Sequence, residues 1–91
     1  MKNLNVYDNG GKTLDRYTAV FLKSKYKVQG QWWYDCLGMS TDPFNGFGQH
    51  GQCQLGRHLG KKIDFNELPK LCKQAVLHDG WELGDPGGKL K

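Results

Sequence analysis

Two segments rich in β-branched and aromatic residues, TLDRYTAVFL from Thr13 to Leu22 and WWYDCLGM from Trp32 to Met39, are separated only by KSKYKVQGQ, Lys23 to Gln31. A parallel pair needs a crossover of about a dozen residues or more, so this short connection suits antiparallel pairing. In the first segment Tyr17, Ala19 and Phe21 alternate with Arg16, Thr18, Val20 and Leu22. Both faces become apolar towards Leu22, which predicts a central strand. In the second, Trp33, Asp35 and Leu37 alternate with Trp32, Tyr34 and Cys36, so neither face is wholly apolar. The three lysines and Gly30 of the connection predict a solvent-exposed hairpin, with Val28 beginning the return.

LNVY, Leu4 to Tyr7, reads as a short strand that ends at Asp8-Asn9-Gly10-Gly11, residues that tolerate left-handed turn geometry. At the other end Leu68, Leu71, Cys72, Ala75 and Val76 follow the i, i+3, i+4, i+7, i+8 rule and predict an amphipathic helix facing the sheet. Pro69 fits its first turn, Asp64, Asn66 and Glu67 its positive end, and His78 with Gly80 its stop. Trp81 is expected to fold back onto the domain, and Ile63-Asp64-Phe65 to form a last small strand. The expected fold class is therefore α+β: a small antiparallel sheet of three to four strands, one C-terminal helix packed on it, and a long Gly-rich loop. A chain of 91 residues allows one domain, placed over 1–83, with 84–91, beginning at Gly84, as a flexible tail.

That loop runs from Ser40 to Lys62. No period survives there, and the segment holds Pro43 and five of the chain's 13 glycines, Gly46, Gly48, Gly51, Gly56 and Gly60. Structureless loops of this length are uncommon, so it is either functional or conceals an element, such as a strand around Cys53 to Leu55. Within it, FGQHGQCQLGRHLGKK lacks the strand-to-helix context of a dinucleotide fingerprint, since no helix follows Gly46, Gly48 and Gly51. It also lacks the spacing of a P-loop, because Gly56 and Gly60-Lys61 enclose three residues and Lys62 stands where Ser or Thr should ligate magnesium. What remains is phosphate-binding physics without the motif: backbone amides exposed by glycine, with Arg57, Lys61 and Lys62 as cations. Trp32, Trp33, Tyr34 or Phe47 would stack on a base. The competing reading is a basic, solvated loop.

His50, Cys53 and His58, with Cys36 from the neighbouring strand, are a permissive zinc set without the paired spacing that makes such sites specific. Neither a metal nor a cofactor is therefore assigned. Cys36 or Cys53 beside a histidine, or Asp35 and Asp42 as acid and base, are combinations that any small protein offers, so the chain is read as non-enzymatic. A formal charge of +4, from 13 Lys and Arg against nine Asp and Glu, suits acidic protein surfaces, nucleic acid or nucleotides. The hairpin lysines Lys23, Lys25 and Lys27, interleaved with Tyr26, would grip such a partner, and Lys70 and Lys73 would extend that surface. Edge lysines also discourage strand-to-strand aggregation. Three cysteines, no apolar leader at the start and no run of about 20 apolar residues predict an intracellular, cytoplasmic protein with reduced thiols and no membrane partner.

DRYTAVF at Asp15 to Phe21, GMSTDPFNGFGQH at Gly38 to His50 and HLGKKIDFNELP at His58 to Pro69 together resemble a group of small uncharacterised proteins encoded by bacterial phages and mobile elements. The group has no assigned activity, so the resemblance carries over no site residues. It implies a setting in which short single-domain proteins antagonise host defence, as anti-CRISPR proteins and nucleotide-messenger sponges do. Two functions are expected on these grounds. One is a surface-occluding inhibitor of a host protein or protein–nucleic-acid complex, acting through Lys23, Lys25, Tyr26, Lys27 and Trp32. The other is a nucleotide, cyclic-nucleotide or single-strand module using the Gly-rich basic loop 46–62, with Arg57, Lys61 and Lys62 on phosphate and an aromatic under the base, across a homo-oligomer in one version. The candidate ligand- or partner-binding residues for the two together are Lys23, Lys25, Tyr26, Lys27, Trp32, Phe47, His50, Arg57, Lys61 and Lys62.

Overall fold

The computed structural model of the chain describes residues 3–82. Five strands, β1 (Leu4–Asp8), β2 (Tyr17–Val28), β3 (Gln31–Met39), β4 (Gly48–Cys53) and β5 (Lys61–Ile63), precede one helix, α1 (Lys70–Glu82). They form a single antiparallel sheet in the order β4-β3-β2-β1-β5. The α+β class is as expected, but the sheet has one strand more than the largest number expected, and the central position of β2 agrees with its two apolar faces.

The register sorts side chains as the alternation predicts. Tyr17, Ala19 and Phe21 join Leu4, Val6, Leu37 and Met39 in the main core, against Leu68, Cys72, Ala75 and Val76. Phe21, Met39, Val6, Val20, Val76 and Cys72 are completely enclosed, and each large apolar side chain buried this way contributes roughly 1.5–3 kcal/mol. The helix differs in detail from its sequence pattern. It begins at Lys70, after a 3-10 turn at Phe65–Glu67, so Leu68 packs from the connection and Leu71 stays 36% exposed. Asp64 and Glu67 serve that 3-10 turn, the Glu67 carboxylate accepting from the Asp64 N–H at 2.7 Å. Pro69 precedes α1 and accepts the first helical bond, from Lys73 N–H at 3.0 Å. The helix also runs past Gly80 to Glu82. The expectations for the Trp81 side chain and for the 84–91 tail lie outside what is described.

Strand β2 is longer than expected at its far end and shorter at its start, because Asn9 and Asp15 organise the preceding segment into a turn. Asn9 Oδ1 accepts from the amides of Gly11 and Lys12 at 2.8 and 3.0 Å. KSKYKV, expected as loop, continues the strand, and only Gln29 and Gly30, with φ of 50° and 81°, make the turn. Two consecutive left-handed residues are the geometry that matches strand twist in a two-residue hairpin. A register shift between Phe21 and Tyr26 is repaired by Ser24, whose hydroxyl donates to Phe21 O at 2.6 Å and accepts from Asp35 N–H at 2.8 Å.

The segment expected as one long loop is divided. β4 is a sheet edge, β5 is the opposite edge, and the chain joining them crosses the face away from the helix. Leu59, in a 3-10 turn at Arg57–Leu59, anchors this crossover by burying itself with Val20 and Cys36. Gly60 follows at φ 95°, where an added Cβ would lie 2.5 Å from Asn9 Cα and nearer still to Asp8 O. Its glycine is required by the close approach of crossover and β1.

Candidate functional site

Among the described residues neither neighbouring strand continues beyond Leu22 on β2 and Tyr34 on β3, since β1 pairs no further than Phe21 and β4 no further than Tyr34. The rest of the β2–β3 hairpin is thus a two-stranded arm. Tyr26↔Trp33, Lys27↔Trp32 and Val28↔Gln31 pair its two strands, and Gln54, just past β4, donates to Gln31 Oε1 at 3.1 Å. Trp32 is 46% exposed, and Tyr26 and Val28 are comparably open. The Lys25 and Lys27 ammonium groups sit 4.9 and 5.0 Å from the Trp32 ring centroid. Each such cation–π contact is worth about 0.5–1 kcal/mol at an exposed site. The arm therefore carries apolar rings with positive charge held against them. Lys23, Lys25, Tyr26, Lys27 and Trp32 all belong to this one hairpin, as their sequence positions require.

Of the remaining expected site residues Phe47 and His50 stay together, lining one groove, and the three cations lie elsewhere. Phe47 and His50 lie at the β4 edge, His50 opposite Leu37. Lys61 and Lys62 lie on β5 at the other edge, opposite Asp8 and Tyr7, and Arg57 lies in the crossover. Lys61 and Lys62 are successive strand residues and so point to opposite faces. Near Lys61, Asp8 is already engaged by Arg16 through Nε at 3.0 Å and Nη2 at 3.2 Å. That guanidinium holds the Asp8 carboxyl below its usual range against a smaller desolvation penalty, with Lys61 adding a weaker pull.

On the crossover face a groove of about 400 Å³ opens between Asp15, Thr18, the two strand glycines Gly38 and Gly51, Cys53 and His58. None of Asp15, Thr18, Gly38 and Gly51 was among the expected site residues. Gly38 makes its floor thin: a Cβ there would stand 3.0 Å from Asp15 Cβ. Asp15 is fixed over it by the Thr13 hydroxyl. At Gly51, directly opposite Cys36, an added Cβ would meet nothing. Only the strand register reveals that these residues share a floor, because QHGQC has no apolar alternation to mark it as a strand.

Cys36 and Cys53 meet in this groove, on neighbouring strands and in the same small cluster as Val20 and Leu59. Hydrogen bonding between them, and then burial, drives the Cys36 thiol well above its ordinary range, while the bond from Cys36 lowers Cys53. Cys72 belongs to the helix core as expected. Its thiol donates to Ser40 O at 3.1 Å, and burial pushes its pKa up to about 11. Cys36 and Cys53 thus pair with each other, and His50 and His58 line the same groove. Among the described residues no three His, Cys, Asp or Glu side chains converge as a metal site, and no helix is long and apolar enough to cross a membrane. Comparison with protein families, curated proteins and solved structures finds no match.

Proposed function

We propose that this is a non-enzymatic binding protein that docks its β2–β3 arm on an acidic surface of another protein. The setting is the one the phage-protein resemblance implies: an antagonist acting by occlusion in the cytoplasm of a bacterial host. The observation that supports this reading is the Lys25–Trp32–Lys27 cluster on an arm that has no strand neighbours among the described residues. Exposed aromatics with adjacent cations suit the centre of a protein interface, where Trp and Tyr anchors supply most of the affinity. Lysines already covering the Trp32 ring favour a carboxylate-bearing partner over a stacked base. Tyr26 and Val28 add exposed apolar area on the opposite face of the arm.

The nucleotide or single-strand reading draws on Phe47, His50, Arg57, Lys61 and Lys62, which the fold distributes over two edges and a crossover. One experiment separates the two. The full chain, immobilised, is exposed to bacterial host lysate with and without nuclease, and a variant carrying Lys25→Glu and Lys27→Glu is run beside it. The expected result is a stoichiometric protein that survives nuclease and is lost with the double variant. Recovery that nuclease abolishes, or that the double variant retains, overturns the proposal. Salt-sensitive binding of single-stranded oligonucleotides would then favour the second reading.

A further inference from the structure

The thiol pair on the crossover face is separate from the arm. The β3–β4 register sets Cys36 opposite Gly51 and Cys53 opposite Tyr34, so the two cysteines are diagonal neighbours on one face. Gly51 puts no side chain over Cys36, and both cysteines line the groove of about 400 Å³. Cys53 is half-buried and Cys36 is 8% exposed, so a small molecule entering the groove meets Cys53 first. Cys72, by contrast, is sealed beneath the helix.

We infer that Cys53 is a modification site for small peroxide oxidants, with Cys36 as the thiol that resolves the product into an intrachain disulfide. The hydrogen bond from Cys36 favours the Cys53 thiolate, the form that reacts. The Cys53 sulfur attacks one oxygen of hydrogen peroxide. The O–O bond breaks, hydroxide leaves and takes up the proton that Cys53 released, and Cys53 becomes a sulfenic acid as the peroxide is reduced. The Cys36 sulfur then attacks the Cys53 sulfur, forming the S–S bond and breaking the S–O bond. The departing hydroxide takes the Cys36 proton. Two thiols and one peroxide give one disulfide and two waters. Strand β4 permits the closure because, among the described residues, it is an edge paired with β3 alone, and Cys53 is its last residue. The backbones of diagonal partners lie about 7–8 Å apart, more than a disulfide spans at rest, so that end of the strand must move inward for the S–S bond to form.

The reduced full chain is treated with equimolar hydrogen peroxide, quenched with an alkylating reagent at intervals, and digested without reduction for mass spectrometry. A linked Cys36–Cys53 peptide is expected while Cys72 remains alkylated. In Cys36→Ser, dimedone is expected to trap the sulfenic acid on Cys53. In Cys53→Ser, thiol loss is expected to be at least about tenfold slower. Thermal unfolding of both variants establishes that they fold. The wild-type chain decides independently of them: absence of the linked peptide, or oxidation of Cys72 as fast as Cys53, overturns the inference.

Discussion

Gly60 shows how much a single position can carry. At φ 95° and ψ −153° its backbone passes so close to β1 that a methyl group would overlap Asp8 O and Asn9 Cα. Gly60→Ala is therefore expected to lose at least about 3 kcal/mol, read as a lowered urea midpoint, because strain and overlap add. A retained midpoint would mean that the crossover does not pack as described. The sequence displays this glycine, but not its torsion angle or what passes beside it. Asp8 poses a different question at the same scale. Its carboxyl is held low chiefly by the hydrogen bond from Arg16, so its contribution is fully present above its unfolded value of 3.8 and is lost as pH falls through the lower folded value. The stability gap between wild type and Asp8→Asn should thus be constant at neutral pH and close below about pH 4. A gap that widened on acidification would contradict the assignment. The pair is partly exposed, with side chains 23% and 42% accessible, so the gap itself is expected to be small.

Among the elements, the hairpin was legible in outline and misjudged in extent. Lys23, Lys25 and Lys27 resemble a solvated connection, yet they alternate with Ser24, Tyr26 and Val28 as a twisted two-stranded ribbon allows. Only the pairing with Gln31, Trp32 and Trp33 shows the segment to be strand. Its turn gives a prediction: Gln29 occupies a left-handed position that Asn adopts more readily. Gln29→Asn should raise stability by about 0.5 kcal/mol without altering partner capture. A loss of stability would argue against this turn geometry. β4, which spans Gly48–Cys53 where a concealed strand is expected only around Cys53 to Leu55, is hard to place for a related reason. An exposed edge strand built from GQHGQC needs no apolar face, and periodicity is the signal that edges lack. The helix tests its own pattern. Leu71 obeys the spacing but remains 36% exposed, since α1 starts later than the spacing suggests. Leu71→Ala should cost under about 1 kcal/mol in urea unfolding, well short of the 2–5 kcal/mol of a buried leucine.

For the molecule as a whole, a fold of this size is expected to be stable by roughly 5–10 kcal/mol. Phe21 lies fully enclosed between sheet and helix. Phe21→Ala is expected to remove about 3–5 kcal/mol, leaving a marginal or unfolded chain by circular dichroism at 25 °C. The layers themselves were implicit in the sequence. A hairpin with one apolar face of Tyr17, Ala19, Phe21 and Leu37, followed by a helix carrying Cys72, Ala75 and Val76, can bury those residues only by stacking the one on the other. Local alternation and helical spacing are short-range properties, so the sequence by itself determined the α+β class, the antiparallel hairpin and the cysteine that belongs to the core. Strand order is a long-range property that no period encodes. The tertiary structure alone decided that β4 and β5 take opposite edges, and that the chain between them must therefore cross a face of the sheet. That crossing separates Lys61 and Lys62 from Phe47 and His50, and it brings Cys36, Cys53 and Leu59 together beside an open groove. Which residues meet there depends on register across strands far apart in the chain, and register is fixed only when the whole sheet closes on its core.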